Sequence, residues 1–149
     1  MKLIKISRYQ KGQEILIHKL IKKVYDEFVS IDYTNEGNNF FYDWIKPFNI
    51  AKRQLNQNNI LVASIDSKII GMIETRENNY ISLLFVDKKY HGQGIAKTLF
   101  LELLKICKQR DPNMDKFYVH ASPFSIPVYR KLGFVETDKM QEEFGIIPK

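Results

Sequence analysis

The segment from Tyr80 to Arg110 constrains the fold of this chain more than any other. It begins with the apolar run YISLLFV, continues through a polar turn into the loop HGQGIA, and ends in a stretch with helical periodicity. Loop amides and the unpaired first-turn N–H groups of a following helix point at one place, where the helix dipole favours an anion. Gly92 and Gly94 allow positive φ angles and a close approach of the main chain to a ligand. The pattern therefore predicts a phosphate-binding loop.

Two common phosphate-binding loops do not match this segment. It lacks the Gly-Lys-Ser/Thr ending of a nucleoside-triphosphate loop, and Lys97 and Thr98 stand where a dinucleotide fingerprint requires a third glycine. The six residues from His91 to Ala96 instead resemble the Gln/Arg-x-x-Gly-x-Gly/Ala signature of the GNAT acetyltransferases. In that superfamily the loop binds the pyrophosphate of acetyl-CoA.

A second segment resembles the same superfamily. A predicted strand from 117 to 121 precedes SPFSIPVYRKLGF, in which Tyr129, Gly133 and Phe134 have the spacing Tyr-x-x-x-Gly-Phe. The two motifs, in the expected order and context, cover roughly the last half of the chain. The resemblance implies an α/β fold with a mixed, largely antiparallel central sheet of about six to seven strands, flanking helices, and a V-shaped split between the two central parallel strands.

Hydrophobic periodicity and turn residues predict the individual elements. The expected strands cover 2–7, 60–65, 68–76, 80–86 and 117–121, with tight turns at Asp66-Ser67 and Asn78-Asn79. The expected helices cover 13–29, a segment capped by Thr34 or Asn35 and interrupted by Pro47, a short segment 50–55, then 94–110, and finally 125–132 ending at Gly133. Residues from Phe134 onward and 144–148 are expected to close the sheet as a hairpin around Gly145.

Bulk properties limit the alternatives. The 149 residues are expected to form one domain, 1–149, with 44% hydrophobic residues as in a globular protein. A single cysteine, an N-terminus without an apolar signal run, and no stretch long enough for a membrane span favour a cytoplasmic protein. The net charge of +6 favours anionic ligands. We do not expect a nucleic-acid partner, because the lysines are scattered; such a domain would bind with steep salt dependence.

The resemblance also assigns residues that would bind acetyl-CoA as co-substrate. The backbone of Leu84, Phe85 and Val86 would hold the pantetheine arm and supply an N–H for the developing oxyanion. The remaining cofactor-binding residues are expected to be His91, Gly92, Gln93, Gly94, Ile95, Ala96, Lys97, His120 and Ser122. His91 replaces the usual Gln or Arg. His120 stands where similar sequences often show Asn, so it either takes over that polar contact or acts on protons. A metal site is not expected, because the three histidines lack ligand spacing.

Tyr129 occupies the position of the tyrosine that, in the resembled family, donates a proton to the departing CoA sulfur. A phenol with a pKa near 10 is protonated at neutral pH and can donate; the alternative is that Tyr129 only packs a short helix against the core. The identity of the general base stays open. Tyr80 stands where some members of the superfamily carry glutamate, and the choices are Glu74, then Glu27, or ordered water.

The loop between the first two helices lines the acceptor pocket in the resembled family, so Glu27, Asp32 and Tyr33 are expected to contact the acceptor. Acidic residues in this region favour a cationic amine such as a polyamine, an aminoglycoside, or a protein lysine or N-terminus, although a solvated acidic surface would give the same sequence: Asp26, Glu27, Asp32, Glu36 and Asp43. The predicted function is transfer of the acetyl group of acetyl-CoA to a primary amine by direct attack in a ternary complex. The alternative is a non-catalytic acyl-CoA-binding regulatory module. The resemblance also suggests a homodimer formed through the C-terminal hairpin or a sheet edge.

Overall fold

A seven-stranded sheet in the order β1-β2-β3-β4-β5-β7-β6 organises the fold. The computed structural model describes residues 3–56, 59–139 and 143–147. Within these residues, β4 and β5 pair in parallel and all other neighbouring strands pair antiparallel. This arrangement confirms the predicted mixed, largely antiparallel sheet. The strands are β1 (Lys5–Arg8), β2 (Ile60–Ile65), β3 (Lys68–Arg76), β4 (Tyr80–Val86), β5 (Phe117–His120), β6 (Val135–Asp138) and β7 (Glu143–Ile146).

In the described part of the chain, five α-helices flank the sheet: α1 (Glu14–Phe28), α2 (Asn35–Trp44), α3 (Pro47–Asn56), α4 (Ile95–Arg110) and α5 (Ile126–Lys131). Thr34 caps α2, with its hydroxyl oxygen accepting a hydrogen bond from the Gly37 N–H at 3.0 Å. Pro47 begins α3 and does not merely interrupt a helix, so the predicted start at 50 was wrong. Proline suits this position because the first helical N–H has no intrahelical acceptor. Of the described helices, none is long and apolar enough to cross a membrane.

The sheet is buried on both faces. One face packs against α4 and contributes Ile73 to a cluster with Leu99 and Phe100. The other face packs against α1, α2 and α3 and contributes Met72 to a cluster with Ile17 and Ile21. Successive side chains of a strand point to opposite faces, so a strand covered on both sides needs a continuous apolar run. The run IIGMI in β3 meets this requirement.

A β-bulge in β4 breaks the regular alternation. Glu74 and Thr75 are consecutive in β3, but they pair with Leu83 and Ile81, which leaves Ser82 as the extra residue. Ile81 and Leu83 are two residues apart and would normally share a face, yet they belong to the two opposite clusters. The bulge therefore reverses which face of the sheet each side chain of β4 after Ser82 points to.

The parallel pairing of β4 and β5 ends at this bulge. Tyr80 pairs with Tyr118 and Ile81 with Val119, and no further pairs follow although both strands continue. The N–H and C=O groups of β4 beyond Ile81 on this side are consequently free of β5. The structure thus contains the V-shaped split that the resemblance implied.

The C-terminal hairpin corrects one expectation. β6 and β7 do pair antiparallel, but Gly145 lies inside β7 and pairs with both Tyr118 and Val135, so it is not the turn. A Cβ at Gly145 would lie 3.2 Å from Thr137 Cγ2 and 3.3 Å from Tyr118 Cδ1, which explains glycine at this position by packing. The expected strand residue Pro148 lies outside the described residues.

Candidate active site

A cavity of about 640 Å³ lies where β4 and β5 separate. Its walls come from the second half of β4, the end of β5, the glycine loop before α4, one side of α5, and the facing parts of α1 and α2. Both central strands end at this split, and α4 begins beside it. The topology therefore brings together two groups of residues that are far apart in the sequence.

The glycine loop has the geometry of an anion-binding site. Gly92 and Gly94 have φ angles of +77° and +80°, which residues with a Cβ rarely adopt. A Cβ at either position would meet nothing within 4 Å, so open space lies in front of the loop. Among the described residues, none accepts a hydrogen bond from the N–H groups of residues 92–97. These donors and the N-terminus of α4 remain available to a phosphate.

His91 connects the loop to the end of β4. Its Nε2–H donates a hydrogen bond to the Val86 carbonyl oxygen at 2.6 Å, and its ring lies against those of Phe28 and Phe124. The side chain therefore holds the loop next to the split. This contact gives a structural reason for an imidazole where the signature usually has Gln or Arg.

Asp87 supports the same junction. The side chain is buried, and its carboxylate accepts a hydrogen bond from the Lys89 N–H at 3.0 Å and lies 3.6 Å from the Lys23 ammonium. Burial alone would raise the pKa of Asp87, but the backbone N–H and the lysine outweigh it and lower the pKa. A charged, hydrogen-bonded aspartate thus stabilises the turn after β4.

Tyr129 lies on α5 and reaches the cavity. The residue is 4% exposed, and its hydroxyl makes no hydrogen bond to any described residue. Burial raises the pKa of Tyr129 well above its ordinary value, because the interior disfavours the charged phenolate. The phenol is therefore a neutral donor whose proton is not committed to another protein group.

His120 was expected in a buried strand, but it is exposed, because it is the last residue of β5 at the edge of the split. Its Nδ1 contacts the Tyr80 hydroxyl, and the Arg76 guanidinium lies 4.3 Å from the centre of the Tyr80 ring. Burial raises the pKa of Tyr80 and outweighs the opposing influence of Arg76. Tyr80 therefore stays neutral, and its hydroxyl contacts the imidazole of His120 through one ring nitrogen.

Glu74 does not line the cavity, so its assignment as general base is not supported by the structure. It is 2% exposed and projects from β3 towards α3, where Arg53 Nη2 and Nε lie 3.0 and 3.1 Å from its two oxygens. Gln54 donates a further hydrogen bond at 2.8 Å. The carboxylate is therefore occupied by Arg53 and Gln54 outside the cavity.

The predicted site residues separate into two groups. Those that line the cavity are Tyr33, Leu84, Phe85, Val86, His91, Gly92, Gly94, Ile95, Ala96, Lys97, His120, Ser122 and Tyr129. Gln93, Glu27 and Asp32 do not line it, and neither does Glu74. Gln93 turns back to the Lys89 carbonyl at 3.4 Å, and Glu27 pairs with the Lys88 ammonium at 2.8 Å. Asp32 is exposed to solvent.

Five aromatic residues of the lining form what we call the aromatic wall: Tyr25, Tyr33, Phe40, Phe41 and Phe85. Of these, Tyr25 on α1 and Phe40 and Phe41 on α2 were not among the predicted site residues. Tyr25 and Phe41 stack with ring centroids 3.9 Å apart and an angle of 7°, and Phe85 lies 6.1 Å beyond Phe41. Phe40 lines the same end of the cavity. Burial, with smaller contributions from neighbouring phenols and Asp26, raises the pKa of Tyr25 to about 12. The excess of aromatic residues in these helices was the available signal.

The comparisons with known proteins identify the family. The model of the acetyltransferase (GNAT) domain matches residues 29–147, most of the chain. The chain belongs to the GNAT acetyltransferase family. Its curated relatives include a spermidine N(1)-acetyltransferase of Vibrio cholerae, 30% identical over 58% of this chain and 54% of that protein. The uncharacterized N-acetyltransferase YafP of Escherichia coli is 32% identical over 60% of this chain and 54% of that protein. The chain thus matches about half the length of these relatives.

Solved GNAT structures have the same fold. The PaiA N-acetyltransferase of Thermoplasma acidophilum, in complex with coenzyme A, has a TM-score of 0.79 at 19% identity and covers 96% of each chain. A GNAT acetyltransferase of Brucella melitensis, in complex with acetyl-CoA, has a TM-score of 0.67 at 16% identity, with 99% of this chain and 89% of that chain covered. At these identities the likeness concerns the fold alone.

Proposed function

We propose that this GNAT-family protein transfers the acetyl group of acetyl-CoA to a primary amine by direct attack in a ternary complex. One observation carries the proposal: a single cavity joins the glycine loop, the free edge of β4, Tyr129 and the aromatic wall. Two substrates bound in this cavity can therefore meet at the split. The CoA-bound and acetyl-CoA-bound structures of other GNAT proteins support the choice of co-substrate.

The cavity residues suit the separate tasks of this reaction. The N–H groups of the loop would bind the pyrophosphate, and the free β4 backbone from Leu84 to Val86 would bind the pantetheine arm and the developing oxyanion. The amine nitrogen forms a bond to the acetyl carbon as the bond between that carbon and sulfur breaks. Tyr129 would give its proton to the sulfur, and solvent would restore it.

The experiment that tests the proposal follows free thiol release from acetyl-CoA against a panel of primary amines. Amine-dependent release, with one acetylated amine formed for each thiol, is the expected result. Acetyl-CoA binding without turnover on any amine would favour the acyl-CoA-binding module, and failure to bind acetyl-CoA would overturn the assignment of the loop. A cytoplasmic location, a single domain and a homodimer stay predictions.

Gly94→Ala is expected to raise the KM for acetyl-CoA about 10-fold, a free-energy difference of about 1.4 kcal/mol. Alanine at a φ of +80° is strained, and its Cβ would project into the open space in front of the loop. KM is measured by thiol release, and the Kd for coenzyme A by calorimetry.

Gly12→Ala is the matched control for that substitution. Gly12 also has a positive φ, +104°, and open space around its missing Cβ, but it lies in the turn before α1. The same backbone strain is expected there without a change in KM. Equal effects of the two substitutions on KM would show that strain, and not phosphate contact, is responsible.

We propose His120 as the group that accepts the proton of the attacking amine. It lines the cavity, and its Nδ1 contacts the Tyr80 hydroxyl; in the tautomer whose Nδ1–H donates to the Tyr80 oxygen, Nε2 carries the lone pair that can accept a proton. Glu74 is bound by Arg53 and is not available for this task. The alternative role of His120 is the polar contact that asparagine makes in similar sequences.

His120→Asn separates the two roles, because asparagine keeps a polar contact but cannot accept a proton near neutral pH. If His120 acts on protons, kcat at neutral pH should fall about 10²-fold in both His120→Asn and His120→Ala. The KM for acetyl-CoA should stay within about 2-fold. Full activity of His120→Asn beside an impaired His120→Ala would assign the polar contact and refute the proton role.

A further inference from the structure

The cavity has aromatic residues in its lining besides the glycine loop. The loop and α5 line one part of the cavity, and the aromatic wall of Tyr25, Tyr33, Phe40, Phe41 and Phe85 lines another. If the loop binds the pyrophosphate and Tyr129 faces the thioester sulfur, the acceptor amine reaches the acetyl group from the aromatic wall. The chemistry of this wall therefore selects the acceptor.

Among the described residues, no aspartate or glutamate lines the cavity. The charged side chains in its lining are Lys97 and Lys131, which are cationic. A polyamine with two or more ammonium groups would bring its distal charge into a cavity without a carboxylate to pair with. Lys97 and Lys131 repel a second ammonium group, and no carboxylate of the described lining offsets that repulsion, so such an acceptor is disfavoured.

The acidic residues that suggested a cationic acceptor either form ion pairs with lysines or are exposed to solvent. Asp26 binds Lys22 at 2.6 Å and accepts a hydrogen bond from Tyr42, and Asp43 lies 3.1 Å from Lys46. Glu27 is paired with Lys88, as described above. Asp32 and Glu36 are exposed to solvent and are not part of the cavity lining. The expectation of an acidic acceptor pocket is therefore not supported by the structure.

The aromatic wall presents apolar surface that a ligand would cover. Phe40 is 74% exposed although it lines the cavity, and Tyr33 beside it is 41% exposed. The wall can bury a flat or aliphatic group by offset or edge contacts. An apolar environment also disfavours the ammonium form of a bound amine, which leaves the nitrogen neutral and nucleophilic.

We infer that the acceptor is a primary amine with an aromatic or aliphatic skeleton and no second positive charge. This inference rests on the proposed acetyl transfer and narrows its substrate class. It differs from the substrate in the name of the Vibrio cholerae relative, spermidine.

The test compares kcat/KM for phenylethylamine and cyclohexylethylamine with kcat/KM for putrescine and spermidine, using the full chain and acetyl-CoA. The apolar amines should exceed the polyamines at least about 10-fold. The salt concentration is held constant, because screening would weaken any repulsion between the lysines and a polycation.

Phe40→Asp should reverse the preference, because it places a carboxylate in the wall at an exposed position where the helix tolerates the change. We expect the ratio of kcat/KM for putrescine to that for phenylethylamine to rise at least about 10-fold. Phe48→Asp is the control: Phe48 lies on α3, is 75% exposed and does not line the cavity. The same ratio should stay unchanged in that variant.

The outcomes distinguish the inference from the function on which it rests. Preferred acetylation of putrescine or spermidine would overturn the inference and leave acetyl transfer intact. Calorimetric binding of acetyl-CoA without acetylation of either apolar amine would also overturn it. Failure of the chain to bind acetyl-CoA would refute the proposed function itself. An equal change of the ratio in Phe40→Asp and Phe48→Asp would show that the wall does not select the acceptor.

Discussion

Tyr129→Phe is expected to lower kcat about 10²-fold, because it removes the group that we propose as proton donor for the departing thiolate. The KM for acetyl-CoA should change little, since the hydroxyl acts when the carbon–sulfur bond breaks. Burial raises the pKa of Tyr129, so its deprotonation is displaced to higher pH. The wild-type kcat should therefore show no loss from this group between about pH 6 and about pH 9. Thiol release under saturating acetyl-CoA measures both quantities.

The stability of Tyr129→Phe separates a catalytic role from a packing role. The Tyr129 hydroxyl makes no hydrogen bond to a described residue, whereas its ring packs against Phe134 with centroids 5.4 Å apart. Phenylalanine keeps this packing, so the free energy of unfolding in urea should stay within about 0.5 kcal/mol or rise. Tyr118→Phe, which alters a half-buried tyrosine outside the cavity lining, should keep kcat unchanged. A Tyr129→Phe variant with wild-type kcat would eliminate Tyr129 as the donor.

Arg53→Met is expected to lower the free energy of unfolding by about 3 kcal/mol. The substitution keeps the length of the side chain and leaves the buried carboxylate of Glu74 without its cation. It also removes the hydrogen bond from Arg53 Nη1 to the Trp44 carbonyl oxygen at 2.7 Å and the stacking of the guanidinium 4.2 Å from the Trp44 ring centre. Urea unfolding at neutral pH measures the loss.

Two further variants test the origin of that loss. Adding Glu74→Gln to Arg53→Met removes the unpaired charge, so the double variant should regain at least about half of the lost stability. Lys22→Met breaks an exposed pair on α1 and should cost no more than about 0.5 kcal/mol. If the losses in the single variants at Arg53 and Glu74 simply add, the two side chains are not coupled.

Glu74→Gln alone also decides the role of this carboxylate in catalysis. We expect it to lower stability while kcat, measured under conditions in which the variant is folded, stays within about 2-fold of wild type. A fall of about 10²-fold in kcat at full folding would restore Glu74 as the general base.

The sequence by itself determined the features that depend on neighbouring residues. The glycine loop before α4, the Thr34 cap, the Tyr129–Gly133 motif and the tight turn at Asp66-Ser67 are encoded locally. Asp66 and Ser67 have φ angles of 49° and 66°, the positive values that a tight hairpin requires. Local backbone preference, capping and hydrophobic period act over a few residues, so these elements were predictable without knowledge of the fold.

Only the tertiary structure decided the features that depend on which elements become neighbours. Glu74 is bound because α3 packs over its face of β3, and no local pattern marks Arg53 as its partner. The bulge at Ser82 exists only in the register with β3, and it changes which side chains of β4 face α4. The acidic residues of α1 and α2 could equally have lined a pocket. In the folded chain Tyr25 and Phe41 face the cavity instead, while Asp26 and Asp43 form ion pairs with exposed lysines. Helical and strand periods define which residues share a face, whereas long-range contacts determine the packing partners of that face. These contacts shape the aromatic wall of the cavity.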